Sequence, residues 1–270
     1  MATLQTESGN LTGRRVLICR PAPEASRLAR QFQAAGAETY VFPLVEREPL
    51  PETAERRTIL QNLDEYRHII AVSPYAARLL LDQLDSWWPQ LPVGLNWYGV
   101  GAGTAKALAE YGVTPNKPDE GWTSEALLKL PSLANIDGER VLVARGEEGR
   151  ELTRRTLEGR GARVTVMPLY RRFCPDYTPA QINAALVDFE PDAVIALSGE
   201  TLNNLIALCA NCSHNLYDSP VIVPARRIAD QAHIAGFKAP FIPGSLADND
   251  IVAAVAEQLA GRDGGSGTAK

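Results

Sequence analysis

Six places along this 270-residue chain set hydroxyl, glycine or arginine residues directly after a short apolar run. They are Arg20; Ser73, Pro74 and Tyr75; Gly101, Gly103 and Thr104; Arg145 and Gly146; Ser198, Gly199, Glu200 and Thr201; and Pro224, Ala225, Arg226 and Arg227. In open α/β sheets, ligands bind beyond the carboxyl ends of the strands. Free N–H groups at helix N-termini attract anions, and guanidinium groups add paired contacts to carboxylates. Such a set suits a polyanion and holds little machinery for covalent chemistry. Ser73, Thr104 and Ser198 equally suit helix N-caps. Tyr170 stands apart. A phenol keeps its proton at neutral pH and can donate it to a departing hydroxyl, although an aromatic in a strand also suits simple packing.

Other chemistries fit less well. Gly101 and Gly103 match the first part of a dinucleotide fingerprint, but Lys106 stands at its third position, and Asp119 and Glu120 fall in a loop. The Cys209–His214 stretch offers three potential metal-ligand side chains, Cys209, Cys212 and His214, and no second C-x-x-C, whereas structural zinc takes four ligands. His68 and His233 have no Ser or Cys partner at motif spacing. No metal site is expected from these residues, and a nucleotide-dependent oxidoreductase is the weaker reading.

The residues sit on a repeating order of strand, turn and helix. Val16–Cys19, His68–Val72 and Trp97–Val100 read as strands, and Glu24–Ala35, Tyr75–Leu84 and Thr104–Tyr111 as helices. A further helix is expected from Thr123 through Leu130. Ser73 suits the N-cap and Pro74 the first helical position. Short turns between alternating elements imply parallel sheets covered on both faces.

The chain also repeats itself. Gly13-Arg14-Arg15-Val16-Leu17-Ile18-Cys19-Arg20 parallels Gly138-Glu139-Arg140-Val141-Leu142-Val143-Ala144-Arg145, a shift of 125 residues. The shift holds at Gly36 and Gly161, at Pro43-Leu44 and Pro168-Leu169, and at Ile70–Ser73 and Ile195–Ser198. Self-similarity at a fixed period marks a duplicated unit. Two extended twins, Thr39–Arg47 and Val164–Arg172, each follow one strand-helix unit, which suggests halves exchanged between domains. The expected fold is therefore α/β, with two similar parallel-sheet, flavodoxin-like domains joined by a two-stranded antiparallel hinge ladder. The expected bounds are 13–38 with 174–260 for one domain, 48–163 for the other, and 39–47 and 164–173 for the hinge, with Tyr170 facing a cleft between the domains. Residues 1–12 and 261–270 are expected to be disordered.

A net charge of −5 argues against nucleic acid as the main partner, but not against a small anion bound in a locally charged cleft. No apolar run reaches the roughly 18 residues of a membrane span. Met1–Asn10 lacks the basic start and apolar core of a secretory signal. Four cysteines then suggest reduced thiols in the cytoplasm. A monomer is expected.

Over about Gly13–Ala260 the chain resembles the uroporphyrinogen-III synthases. Val16–Pro21, Ile70–Pro74, Val100–Ala105, Pro168-Leu169-Tyr170-Arg171 and Ala196-Leu197-Ser198-Gly199 carry the likeness by order and spacing. The resemblance implies two α/β domains, no cofactor, and closure of the linear polycarboxylate tetrapyrrole hydroxymethylbilane into uroporphyrinogen III. Water is lost, and ring D is inverted through a spiro intermediate. It also implies that Tyr170 assists hydroxyl loss and that Ser73, Thr104 and Ser198 line the substrate site. Relatives often place Ser or Thr where this chain has Ala225, leaving backbone N–H groups or Arg226 to bind there. A non-catalytic binding protein for an anionic metabolite is the alternative from a different class.

Overall fold

The computed structural model describes residues 10–118, 121, 123–209 and 214–265. Its strands are β1 (Arg15–Ile18), β2 (Glu38–Val41), β3 (Glu46–Pro49), β4 (His68–Ala71), β5 (Asn96–Gly99), β6 (Arg140–Gly146), β7 (Arg163–Phe173), β8 (Ala193–Ile195), β9 (Val221–Ile222) and β10 (Pro240–Phe241). The helices are α1 (Glu24–Ala34), α2 (Ala54–Gln61), α3 (Pro74–Asp85), α4 (Ala102–Glu110), α5 (Ser124–Leu127), α6 (Leu152–Glu158), α7 (Pro179–Asn183), α8 (Gly199–Cys209), α9 (Arg226–Ile234) and α10 (Asp248–Gly265). Among the described residues no helix is long and apolar enough to cross a membrane.

The chain divides into two compact units, Met1–Glu46 with Phe173–Lys270, and Arg47–Arg172. The first holds the sheet β10-β9-β8-β1-β2, in which every neighbouring pair is parallel. Side chains alternate between two faces along β1. Leu17 joins the cluster that holds Phe42, Leu202 and Ile228, whereas Val16 and Ile18 join the one that holds Phe32, Ile251 and Val255. Both faces are covered, which is why the strand reads as a continuous apolar run.

The second unit holds the sheet β3-β7-β6-β4-β5. Its β7-β6-β4-β5 part is parallel. The edge strand β3 differs. Leu50 N–H donates to the Leu169 carbonyl at 2.9 Å, and Glu48 pairs with Arg171, so the partners step in opposite senses and β3 lies antiparallel to β7. Leu142 and Ala144 face the cluster of Leu80, Leu108 and Leu169, and Val141 and Val143 face that of Tyr98, Leu133 and Leu157.

The repeat is visible in the backbone. Gly13 and Gly138, Gly36 and Gly161, and Gly112 and Gly236 all hold positive φ, between +73° and +104°. β1 and β2 correspond to β6 and β7, and β4 and β5 to β8 and β9, so each sheet combines strands from both copies. The first half of each twin is an ordinary sheet strand, not part of a crossing ladder. β2 pairs in parallel with β1, and the matching part of β7 pairs in parallel with β6. β2 forms the edge of its sheet, and β7 meets β3 only from Leu169 onward.

The ends also depart from expectation. Leu11 is buried, and its N–H donates to Ala35 at 2.9 Å. It stands 125 residues before the equally buried Ile136, so the repeat begins before Gly13. At the other end α10 runs to Gly265, packed through Ile251, Val255 and Leu259. The expected disorder of 1–9 and 266–270, and Asp119, Glu120 and Cys212, lie outside the described residues.

Both twins carry a proline whose carbonyl is captured by a side chain. In the first unit Tyr177 Oη donates to the Pro43 carbonyl at 2.8 Å, and its ring packs 4.1 Å from that of Phe42. Burial is the main cause that pushes this phenol from its ordinary value of 10 up to about 12. A raised folded-state value stabilises fully below the unfolded one and is lost as pH rises through the folded one. The melting temperature should therefore fall between pH 10 and 12 more steeply in the native chain than in Tyr177→Phe, as thermal melts across that range would reveal.

Candidate active site

Tyr170 lies near the end of β7, and its surroundings follow from an irregularity there. Arg145 pairs with Pro168, but the next residue of β6, Gly146, pairs with Tyr170, so Leu169 is the extra residue of a bulge. Proline lacks the N–H that a ladder needs and is tolerated in sheets at edges and bulges. Strict alternation would send Leu169 and Tyr170 to opposite faces. Both instead join the same apolar cluster, and Tyr170 is 8% exposed.

Three contacts fix the ring. Tyr75 meets it edge-on, with centroids 5.0 Å apart, and Arg47 lies 5.1 Å over the Tyr75 ring. Gly146 lies beneath it, so close that a β-carbon there would come within 3.0 Å of Tyr170 Cε2 and Cζ. The phenol oxygen lies 3.1 Å from Ser73 Oγ. Ser73 is the N-cap of α3, as its sequence predicts, and accepts from the Ala76 N–H at 3.0 Å, with Pro74 in the first turn. Either hydroxyl can donate in this pair, and when Ser73 donates the phenol proton is left for a third group.

Ser73 and Tyr170 line a cavity of about 810 Å³ together with Arg145 and Gly146. Its remaining wall was not singled out by strand-end reasoning: Val72, Val100, Thr123, Ser124, Glu125, Glu148, Gly149, Arg150, Thr153 and Arg172. Thr123 caps α5 by accepting from the Ala126 N–H at 3.1 Å, and this cap motif was the available signal. Arg145 pairs with Glu151 at 2.8 Å, while its Nε is buried without a partner. Hydrogen bonds from Arg145 first, and then from Arg154, hold the Glu151 carboxyl below the usual range. Arg150 pairs with Glu125 at 3.1 Å. The cavity thus combines guanidinium groups, hydroxyls and one phenol with the carboxylates of Glu125 and Glu148, and it suits a ligand with several carboxylates where the arginines release their glutamate partners.

The other expected residues take different positions. Thr104 is fully buried and donates to the Val100 carbonyl at 2.5 Å, so its hydroxyl is engaged by the turn between β5 and α4. Gly101 takes positive φ at the N-cap of α4, and Gly103 packs close to the Pro74 ring.

In the first unit, Ser198 accepts from the Thr201 N–H at 3.0 Å at the start of α8. A β-carbon on Gly199 would come 3.1 Å from Ile228 Cδ1. Glu200 lies in the first turn of that helix. Ala225 is the N-cap of α9 with no side-chain bond, and the exposed Arg226 pairs with Asp230 at 2.9 Å. Arg20 pairs with Asp248 at 3.2 Å; burial, more than any other cause, lowers its affinity for the proton.

Comparison with known proteins shows what the chain is similar to. The model of the family described as "Uroporphyrinogen-III synthase HemD" matches residues 26–252. The uroporphyrinogen-III synthase of Escherichia coli K12 is 34% identical over 248 residues, 88% of this chain and 97% of that protein. The Salmonella typhimurium protein of the same name is 34% identical over 244 residues, 88% of this chain and 97% of its own. A mutant uroporphyrinogen III synthase from the extremely thermophilic bacterium Thermus thermophilus superposes with a TM-score of 0.61 at 19% identity, covering 92% of this chain and 99% of that one, and supports the fold alone. The chain belongs to the uroporphyrinogen-III synthase family.

Proposed function

We propose that this chain converts hydroxymethylbilane to uroporphyrinogen III in tetrapyrrole biosynthesis, with the cavity beside Tyr170 as the place where the hydroxyl leaves. Membership of the family carries the reaction. The observation that supports the site is the Ser73–Tyr170 hydroxyl pair, 3.1 Å apart, beside arginine side chains. In this reading the phenol donates to the departing ring A hydroxyl and water is released. The azafulvene cation that remains is attacked by ring D through its substituted carbon. The spiro intermediate breaks and recloses with ring D inverted, and the proton lost as the pyrrole regains aromaticity restores the phenol.

Arg145 and Arg150 hold substrate carboxylates, exchanging Glu151 and Glu125 for them. Ser198, Gly199 and the backbone at Ala225 and Arg226 contribute further anion contacts by the helix-terminus chemistry. The flavodoxin-like description of each unit, and a hinge role for the two chain passages near residues 46 and 173, belong to the same reading. So do a cytoplasmic monomer and the absence of a cofactor. Holding one productive geometry is most of the catalyst's task, since orientation alone supplies large rate factors.

Tyr170→Phe should keep its fold and slow type III formation by roughly tenfold, less than the hundredfold or more that one proton donor commonly contributes, because positioning is spread over many contacts. Isomer-resolved initial rates after oxidation of the product provide the check. An unchanged rate would return Tyr170 to a packing role.

A further inference from the structure

We infer that Arg56 is a positioning residue for Tyr170, acting through the bulge in β7; this rests on the proposed role of that tyrosine. Arg56 lies on α2, is only 5% exposed, and is absent from the cavity wall. Its Nη2 donates to the Pro168 carbonyl at 2.7 Å and its Nη1 to the Leu50 carbonyl at 3.0 Å. Between them, Leu50 N–H donates to Leu169. One guanidinium therefore ties β3 to β7 at the residue where the register breaks, two positions before the phenol.

A buried guanidinium is an expensive way to satisfy two carbonyls. The repeat shows that a cation is not needed for that alone. In the twin segment the Pro43 carbonyl is satisfied by a phenol, Tyr177, and Leu44 by Asn204 Nδ2 at 2.6 Å. There Val45 stands where the second copy has Tyr170. The forked donor occurs in the copy that carries the tyrosine. Its rigid, two-pronged geometry holds two strands at once, which a single hydroxyl does not.

The test is a double-mutant cycle of Arg56→Met and Tyr170→Phe, with kcat, KM and melting temperature read for each enzyme. Arg56→Met should lower kcat for type III formation several-fold, up to the roughly tenfold loss of Tyr170→Phe, as displacement of a reacting group does, with KM little changed. In the Tyr170→Phe background it should lower the melting temperature as before but leave kcat where Tyr170→Phe alone put it. Arg56→Lys, which keeps the charge and one bond, should fall between; if Arg56→Met fails to fold, the lysine variant carries the same cycle. Equal losses of kcat in both backgrounds, or a lower melting temperature with kcat untouched, would overturn the inference while leaving the role of Tyr170 standing. No effect of Tyr170→Phe by itself would remove that role, and the inference with it.

Discussion

Gly146→Val should reduce type III formation by about a hundredfold, the scale of loss that an ångström of misplacement produces. The reason is steric and local. A β-carbon at Gly146 would lie 3.0 Å from two carbons of the Tyr170 ring and 3.3 Å from its oxygen. The ring is bounded by Tyr75 and Ser73 on its other contacts, so relief requires it to leave its place. Valine also suits a strand, and Gly146 is not among the glycines with positive φ, so the backbone tolerates the change. Stability should fall by only about 1–3 kcal/mol, the usual cost of overpacking. The loss should exceed that of Tyr170→Phe, because the displaced ring also obstructs the cavity. A valine enzyme with native kcat would show that the ring can be elsewhere during the reaction.

Gly99→Ala should act on stability and cost about 3 kcal/mol, at the upper end for one added methyl in a filled core. The new carbon would stand 2.8 Å from Ala105 N, 3.1 Å from the Thr104 carbonyl carbon and 3.2 Å from Ala105 Cα. All three are backbone atoms of α4, which has no flexible end to move aside. The whole helix must retreat from β5, and with it the packing of Ala107 and Leu108. A drop of the melting temperature on the order of 10 °C is expected, measured by thermal denaturation of both proteins. A change within about 2 °C, the effect expected of a surface substitution, would mean that the helix–strand distance is more adjustable than its geometry implies.

Gly99 also illustrates what the sequence made legible. Gly99–Gly103 after a strand invited a nucleotide-loop reading, and the absence of the third small residue at Lys106 argued against it. The structure gives two of these glycines packing and turn roles: Gly99 admits α4, and Gly101 supplies a positive φ at its cap. The cap at Ser73 with Pro74 was readable because it depends on adjacent residues alone. The helix expected from Thr123 through Leu130 ends at Leu127 in four residues, and Pro131 already opens a separate 3₁₀ turn.

Features set by distant partners were not readable in the same way. Nothing near Leu169 in the chain announces a bulge, since the register break is defined against β6, more than twenty residues away. Thr104 looked available because a hydroxyl after a strand reads the same whether it faces a ligand or the Val100 carbonyl. Leu11 was assigned to a disordered end although Ile136, at the same 125-residue shift, carried the contrary signal. Arg56 was not singled out in the sequence, and only the fold brings Leu50 and Pro168 to it.

The most direct test is the isomer composition formed from freshly prepared hydroxymethylbilane with the native chain. After oxidation and separation, uroporphyrin III in excess over the enzyme-free blank is predicted. Spontaneous closure proceeds without inversion, so isomer I alone, at the blank's rate, would contradict the account and favour a protein that only binds its polyanionic ligand.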